Sequence, residues 1–243
     1  MKYSFTIETD KDEVIDGAIR RMKTRRELAD ALGAPTRALR EYASDILQEV
    51  AHRDADLLVD LSSEIIDALD RPESFTRYNI LVVLDCFVPH HGPVVAKALY
   101  QLDDCLYDEE SKIVRQEAFE VLCHFGATTE TRSKTVWEYL SGALRCYHGD
   151  PEYMTMLNYL CDMLNNGKVA DSVKEGVVRL FIFDAEQGKG MLQKRAQQIV
   201  ALAPEMLEKV KAEQVEAAKR AAAAARAAEE DAKAADDDYE ELD

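Results

Sequence analysis

Apolar residues recur along this chain at helical rather than strand spacing, and in a register that returns. In KIVRQEAFEVLCHFG, residues 112–126, Val114, Ala118, Val121, Leu122 and Phe125 fall at i, i+4, i+7, i+8 and i+11, one stripe of a helix. Glu117, Glu120 and His124 fall on the opposite side. With Arg115 as reference, an apolar or small residue follows three positions on and an apolar pair six and seven on. The same register recurs at Arg40 (Ala43, Ile46, Leu47), Arg77 (Ile80, Val83, Leu84), Tyr153 (Met156, Tyr159, Leu160) and Gln193 (Ala196, Ile199, Val200). Reference positions are 37, 38, 38 and 40 residues apart, the period of a stacked array of two-helix units.

Turn residues punctuate the pattern at matching places. Pro35 opens a first unit with helices over about 36–51 and 55–69, and Arg71-Pro72 a second with helices over 74–88 and, after His90-His91-Gly92-Pro93, over 94–107. The third spans 110–125 and 133–147. Gly149-Asp150-Pro151 opens the fourth, whose helices part at Asn165-Asn166-Gly167, and Gly188-Lys189-Gly190 precedes a fifth first helix ending near Leu202. The fold class is all-α: an α-solenoid of about five helical hairpins, each burying its apolar face against its neighbours.

The flanks read differently. In residues 1–34, Tyr3, Phe5 and Ile7 alternate with polar residues, a short strand that either joins another chain, giving self-association, or lies over the first helix. A single helix then runs from Thr9 or Asp10, with Glu13 completing a capping box, to about Leu32, where Gly33 stops it. Arg20, Arg21, Lys23, Arg25 and Arg26 place five bases in seven residues of it, either a solvated face paired with nearby acids or a docking patch for an anionic partner. Residues 204–243 begin a capping stripe with Leu207, Val210 and Gln214, then become an alanine-rich helix with nothing to bury, ending in an acidic tip, Asp236 to Asp243, expected to be disordered.

The segments Leu39-Arg40-Glu41-Tyr42-Ala43 through Leu47 and Val114-Arg115-Gln116-Glu117-Ala118 through Leu122, at this period, resemble HEAT repeats over about residues 35–203. The resemblance implies an acid paired with each Arg along the stack, Asp108 or Glu109 with Arg115 and Asp70 with Arg77; Tyr153 and Gln193 depart from that pattern. It implies a fold far more than a function. HEAT-repeat di-iron hydroxylases use His-Glu pairs, and no His here precedes a Glu. HEAT-like DNA glycosylases use a basic groove, which the acids below do not provide.

Charge and chemistry narrow the function. The 243 residues carry a formal charge of −17, with 13 acids against six bases in residues 205–243, so nucleic acid is a disfavoured partner and a basic protein or peptide a favoured one. Cys86, Cys105, Cys123, Cys146 and Cys161 sit in apolar stretches without a Cys-x-x-Cys pair, as expected of a reducing cytoplasm, and no export signal or membrane segment is legible. No nucleophile constellation, Walker loop or dinucleotide turn occurs, so no catalytic, cofactor or metal residue is assigned; Cys86, His90 and His91 read as core and turn residues. The expected activity is therefore a non-enzymatic interaction scaffold or adaptor whose groove, lined by the second helices, holds a basic segment. Its expected contacts are Asp56, Asp60, Glu64, Asp67, Tyr100, Asp104, Asp108, Trp137 and Arg145. The alternatives are a HEAT-fold nucleic-acid-processing or metal-dependent enzyme, or a regulatory or inhibitory subunit of a larger complex.

Overall fold

A computed structural model describes residues 3–240, with side chains as far as residue 226 and at 228. The protein is an all-α solenoid of helical hairpins and divides into two compact units, Met1–Val173 and Lys174–Asp243.

In the first unit the chain opens with two helices, α1 (Lys11–Arg20) and α2 (Met22–Ala31), where the sequence predicts one. Arg21 adopts extended backbone at φ −135°, ψ 117° and breaks the run, although residues 20–26 are individually compatible with helix. The break lets Arg25 reach back, its Nη1 donating to the carbonyls of Ala18 and Ile19 at 2.6 and 3.3 Å, so one base of the cluster caps the end of α1. Asp10 accepts from the Glu13 amide at 3.2 Å and caps its start, as its position suggests. The predicted strand at Tyr3–Ile7 does not form; the described residues contain no strand. Phe5 is buried instead, stacked on Tyr42 with centroids 6.0 Å apart, and the Ser4 amide donates to Glu27 at 2.9 Å. An alternating apolar residue has found a side-chain partner on a helix rather than a backbone partner on a strand.

The repeats follow. The first pairs α3 (Arg37–Arg53) with a segment built of a 3-10 stretch (Ala55–Leu61), the short α4 (Ser62–Asp67) and a second 3-10 turn (Ala68–Asp70). The side chain of Asp54 accepts from the Asp56 amide at 3.1 Å, tightening the entry turn to that segment. The second pairs α5 (Ser74–Phe87) with α6 (Gly92–Lys97) and α7 (Leu99–Leu106), divided at Ala98. The third pairs α8 (Lys112–Ala127) with α9 (Glu130–Cys146), and α10 (Tyr153–Asn166) begins the fourth. First helices pack side by side, α3 on α5, α5 on α8 and α8 on α10. They run parallel, because the Arg40 end of α3 meets the loop entering α5 while Asp85 near the end of α5 bonds His124 near the end of α8. Ile80, Leu84, Val121 and Leu122 are fully buried between them. A Cβ on Gly126 would stand 2.6 Å from Val136 of α9 and 3.0 Å from Met163 of α10, so glycine sets the closeness of that three-helix junction.

In the second unit α11, spanning Asp171–Gln187 across the division, continues beside α12 (Gly190–Ala201) and α13 (Pro204–Glu240). Val178, Ile182, Ala203 and Val210 form its core, with Met206 and Leu207 packed against them. Arg179 joins Glu175 and Glu213, and Lys209 reaches Glu175 at 2.7 Å, tying α13 to α11 by exposed pairs. Part of the acidic tip, as far as Glu240, belongs to α13; residues 241–243 lie outside the described residues.

Candidate protein-binding surface

One group of charges is internal and fixes the register of the stack. Arg40 pairs with Glu73, Arg77 with Asp108 and Arg115 with Glu152, each Arg reaching an acid at the entry of the next first helix. Each also donates Nη1 at 2.6 Å to a carbonyl six or seven residues upstream, that of Ala34, Arg71 and Asp108 respectively. The ladder thus exists but is offset by one repeat from the pairing the HEAT resemblance implies. Asp108 meets Arg115 only through its backbone, and its carboxylate serves Arg77. Arg40 holds the Glu73 carboxyl below its ordinary value of 4.5; at Glu152 burial works upward and is outweighed by the bonds from Arg115. Gln193 in the fifth slot turns its amide toward the carbonyls of Ala185 and Glu186, the same upstream position the Arg residues use.

That geometry removes Asp108 from the expected contact set, because its side chain is 8% exposed and committed within the stack. Asp56 lies 2.6 Å from His91 Nε2 of the next repeat. Asp60, Glu64, Asp67, Tyr100 and Asp104 are exposed on the second elements of the first two repeats, Tyr100 at 72%. They do not converge: the cavity of about 240 Å³ between those elements takes in Asp67 alone of the five, and Lys97 stands beside it. Trp137 is half-buried and Arg145 exposed on α9, where Arg145 leans on Ser141 of its own helix.

A different set of groups converges on the outward stripe of the first helices. Along α8, Ile113, Glu117, Glu120 and His124 follow one another at helical spacing; beside them lie Phe75, Tyr78, Val82, Asp85 and Cys86 of α5 and Tyr159 of α10. His124 Nδ1 is 2.7 Å from Asp85, which raises the imidazole pKa above 6.5, and Tyr159 bonds Glu120. Glu117 makes no hydrogen bond or ion pair within the described residues. Burial, with the like charges of Glu120 and Asp85, pushes its carboxyl up to about 7. Burial likewise raises the Cys86 thiol to about 11, so it is a poor nucleophile at neutral pH. The sequence pattern already put Glu117, Glu120 and His124 opposite the core stripe; their convergence with Asp85 and Tyr159 depends on the parallel stacking of three helices and has no local signal.

Among the described residues no three His, Cys, Asp or Glu side chains stand together as metal ligands, and no helix is long and apolar enough to cross a membrane. No protein-family model matches the chain, and no curated protein does. Solved structures do match. An engineered protein covers 84% of this chain and 93% of its own at 14% identity and a TM-score of 0.62. A designed armadillo repeat protein in complex with the peptide (KR)4 covers 79% and 91% at 13% identity and 0.61. The fold is that of HEAT/armadillo-like repeats. An archaeal HEAT-like repeats protein from Thermococcus onnurineus NA1 also matches, over 83% of this chain and 95% of its own at 14% identity and 0.51. At such identities the HEAT/armadillo likeness concerns backbone architecture, and the side chains of the stripe are this chain's own.

Proposed function

We propose that this HEAT/armadillo-like protein is a protein-interaction scaffold that takes an extended, basic segment of a partner along the outward stripe of its first helices. The observation that carries the reading is Glu117, a half-buried carboxylate that makes no hydrogen bond or ion pair among the described residues and stands beside two further acids, Glu120 and Asp85, with only the His124 imidazole opposing them. Desolvated charge without a partner is costly, and such groups cluster where a ligand supplies the missing charge. Packing favours the same face. First helices touch in series, α3 on α5, α5 on α8 and α8 on α10, so a segment lying along α8 has the outward residues of both neighbouring first helices at its sides. The designed armadillo neighbour seen with a Lys/Arg peptide adds that this architecture accommodates such a segment.

On this reading the site lies on the first helices, and the exposed acids Asp60, Glu64, Asp67 and Asp104 of the second elements speed encounter without fixing register. Fluorescence anisotropy with a labelled octapeptide of alternating lysine and arginine tests it. Binding should weaken with salt, fall about tenfold or more in Glu117→Gln with Glu120→Gln, and change little in Asp60→Lys with Asp104→Lys beyond the association rate. Loss of binding in the second pair and not the first would move the site to the second elements.

A further inference from the structure

At the N-terminal ends of α5 and α8 the acidic stripe runs into an apolar cavity of about 320 Å³, lined by Ser74, Phe75, Tyr78, Ser111 and Ile113. Phe75 is 47% and Ile113 52% exposed, and each stands two residues before the ladder Arg of its repeat, so the two occupy equivalent positions on neighbouring helices. Neither is needed by the core, which the stripes through Ile80 and Val114 fill. The cavity and the acids are continuous. Tyr78 forms one wall, and the charges of Glu117 and Glu120 act on its phenol; Ile113 and Glu117 are one helical turn apart on α8.

We infer that the cavity between α5 and α8 seats one apolar side chain of the partner, and that the segment this protein selects therefore carries an aliphatic residue two positions from a lysine or arginine. Spacing dictates the number. Ile113 and Glu117 are four residues apart, about 6 Å along the helix axis. In an extended segment, side chains i and i+2 point to the same side about 6.6 Å apart. An apolar side chain in the cavity thus brings the charge two residues away over Glu117. A uniformly basic segment leaves the cavity filled with water, and an apolar one leaves the carboxylates unpaired; only the mixed segment satisfies both. The inference rests on the proposed function, since it specifies the ligand of the same stripe.

Two labelled octapeptides test it against the intact chain: one of alternating lysine and arginine, and the same peptide with leucine in place of its fourth residue. The leucine peptide should bind about tenfold or more tightly, as expected for one buried aliphatic side chain, despite carrying one charge fewer. Phe75→Ala with Ile113→Ala should erase that advantage while the uniformly basic peptide still binds. Glu117→Gln should weaken both. Equal or weaker binding of the leucine peptide overturns the inference while the proposed function stands. Failure of both peptides to bind overturns both. If Phe75→Ala with Ile113→Ala instead converts a dimer to a monomer in sedimentation, the cavity is occupied by a second copy of this chain and the inference is likewise overturned.

Discussion

Glu117 and Glu152 are chemically identical residues whose surroundings drive their carboxyls in opposite directions, so they impose opposite pH dependences on stability. Glu152 and Glu73 lie below 4.5 in the fold; the stability they contribute is present above 4.5 and lost as pH falls through their folded values. Glu117 lies near 7; its neutral form suits the fold, so stability falls as pH rises from 4.5 through about 7 and is level beyond. Glu117→Gln should therefore melt higher than the parent by a margin that grows from pH 4.5 to 7 and then stops growing, measured by thermal melts at constant ionic strength. A margin that shrinks with pH would contradict the assignment. Arg115→Ala should cost about 3–5 kcal/mol, because it strands the Glu152 carboxylate in a site 4% exposed. Leu84→Ala and Leu122→Ala, each fully buried, should cost about 2–5 kcal/mol, whereas Val215→Ala, 55% exposed on α13, should cost little. Urea titrations that reverse that ordering would show that the division into core and appendage is misplaced.

At the scale of elements, the N-terminal segment is part of the packed structure. Phe5→Ala should lower stability by about 3 kcal/mol, within the range for a buried aromatic, by emptying the site against Tyr42; a stability unchanged in monomeric protein would return the segment to the strand reading. The first helices were legible because each must bury a stripe against two like neighbours, and the recurrence at Arg40, Arg77 and Arg115 reports that requirement directly. Turn residues at Pro35, Pro72 and Gly149-Asp150-Pro151 were legible for the same reason. The break at Arg21 was not, since nothing in residues 20–26 opposes helix and the kink is stabilised by Arg25 reaching a carbonyl that exists only once α1 has ended. The strand expectation failed at Phe5 because period-two alternation specifies which side chains are buried and not whether the backbone finds a ladder. The ladder's offset was hidden because an acid near an Arg in sequence is ambiguous between its own repeat and the preceding one; the position of Asp108 beside Arg77 resolves it.

For the whole molecule, −17 of formal charge is spread over two units, yet what distinguishes one face is the convergence of a few acids with little compensating charge. Glu120 and Asp85, the imidazole of His124, the phenols of Tyr78 and Tyr159 and the thiol of Cys86 all face Glu117, and among them only His124 carries positive charge. As pH rises through 7, Glu117 ionises, and that change favours a basic ligand. Isothermal calorimetry of the alternating Lys/Arg octapeptide, in two buffers of different ionisation enthalpy at pH 6, 7 and 8, measures this most directly. Docking should release protons near pH 7, affinity should rise from pH 6 to 8, and Glu117→Gln should remove most of both effects. Proton release that is absent in the parent protein, with an affinity indifferent to pH and to Glu117→Gln, would contradict the placement of the binding site on the first helices.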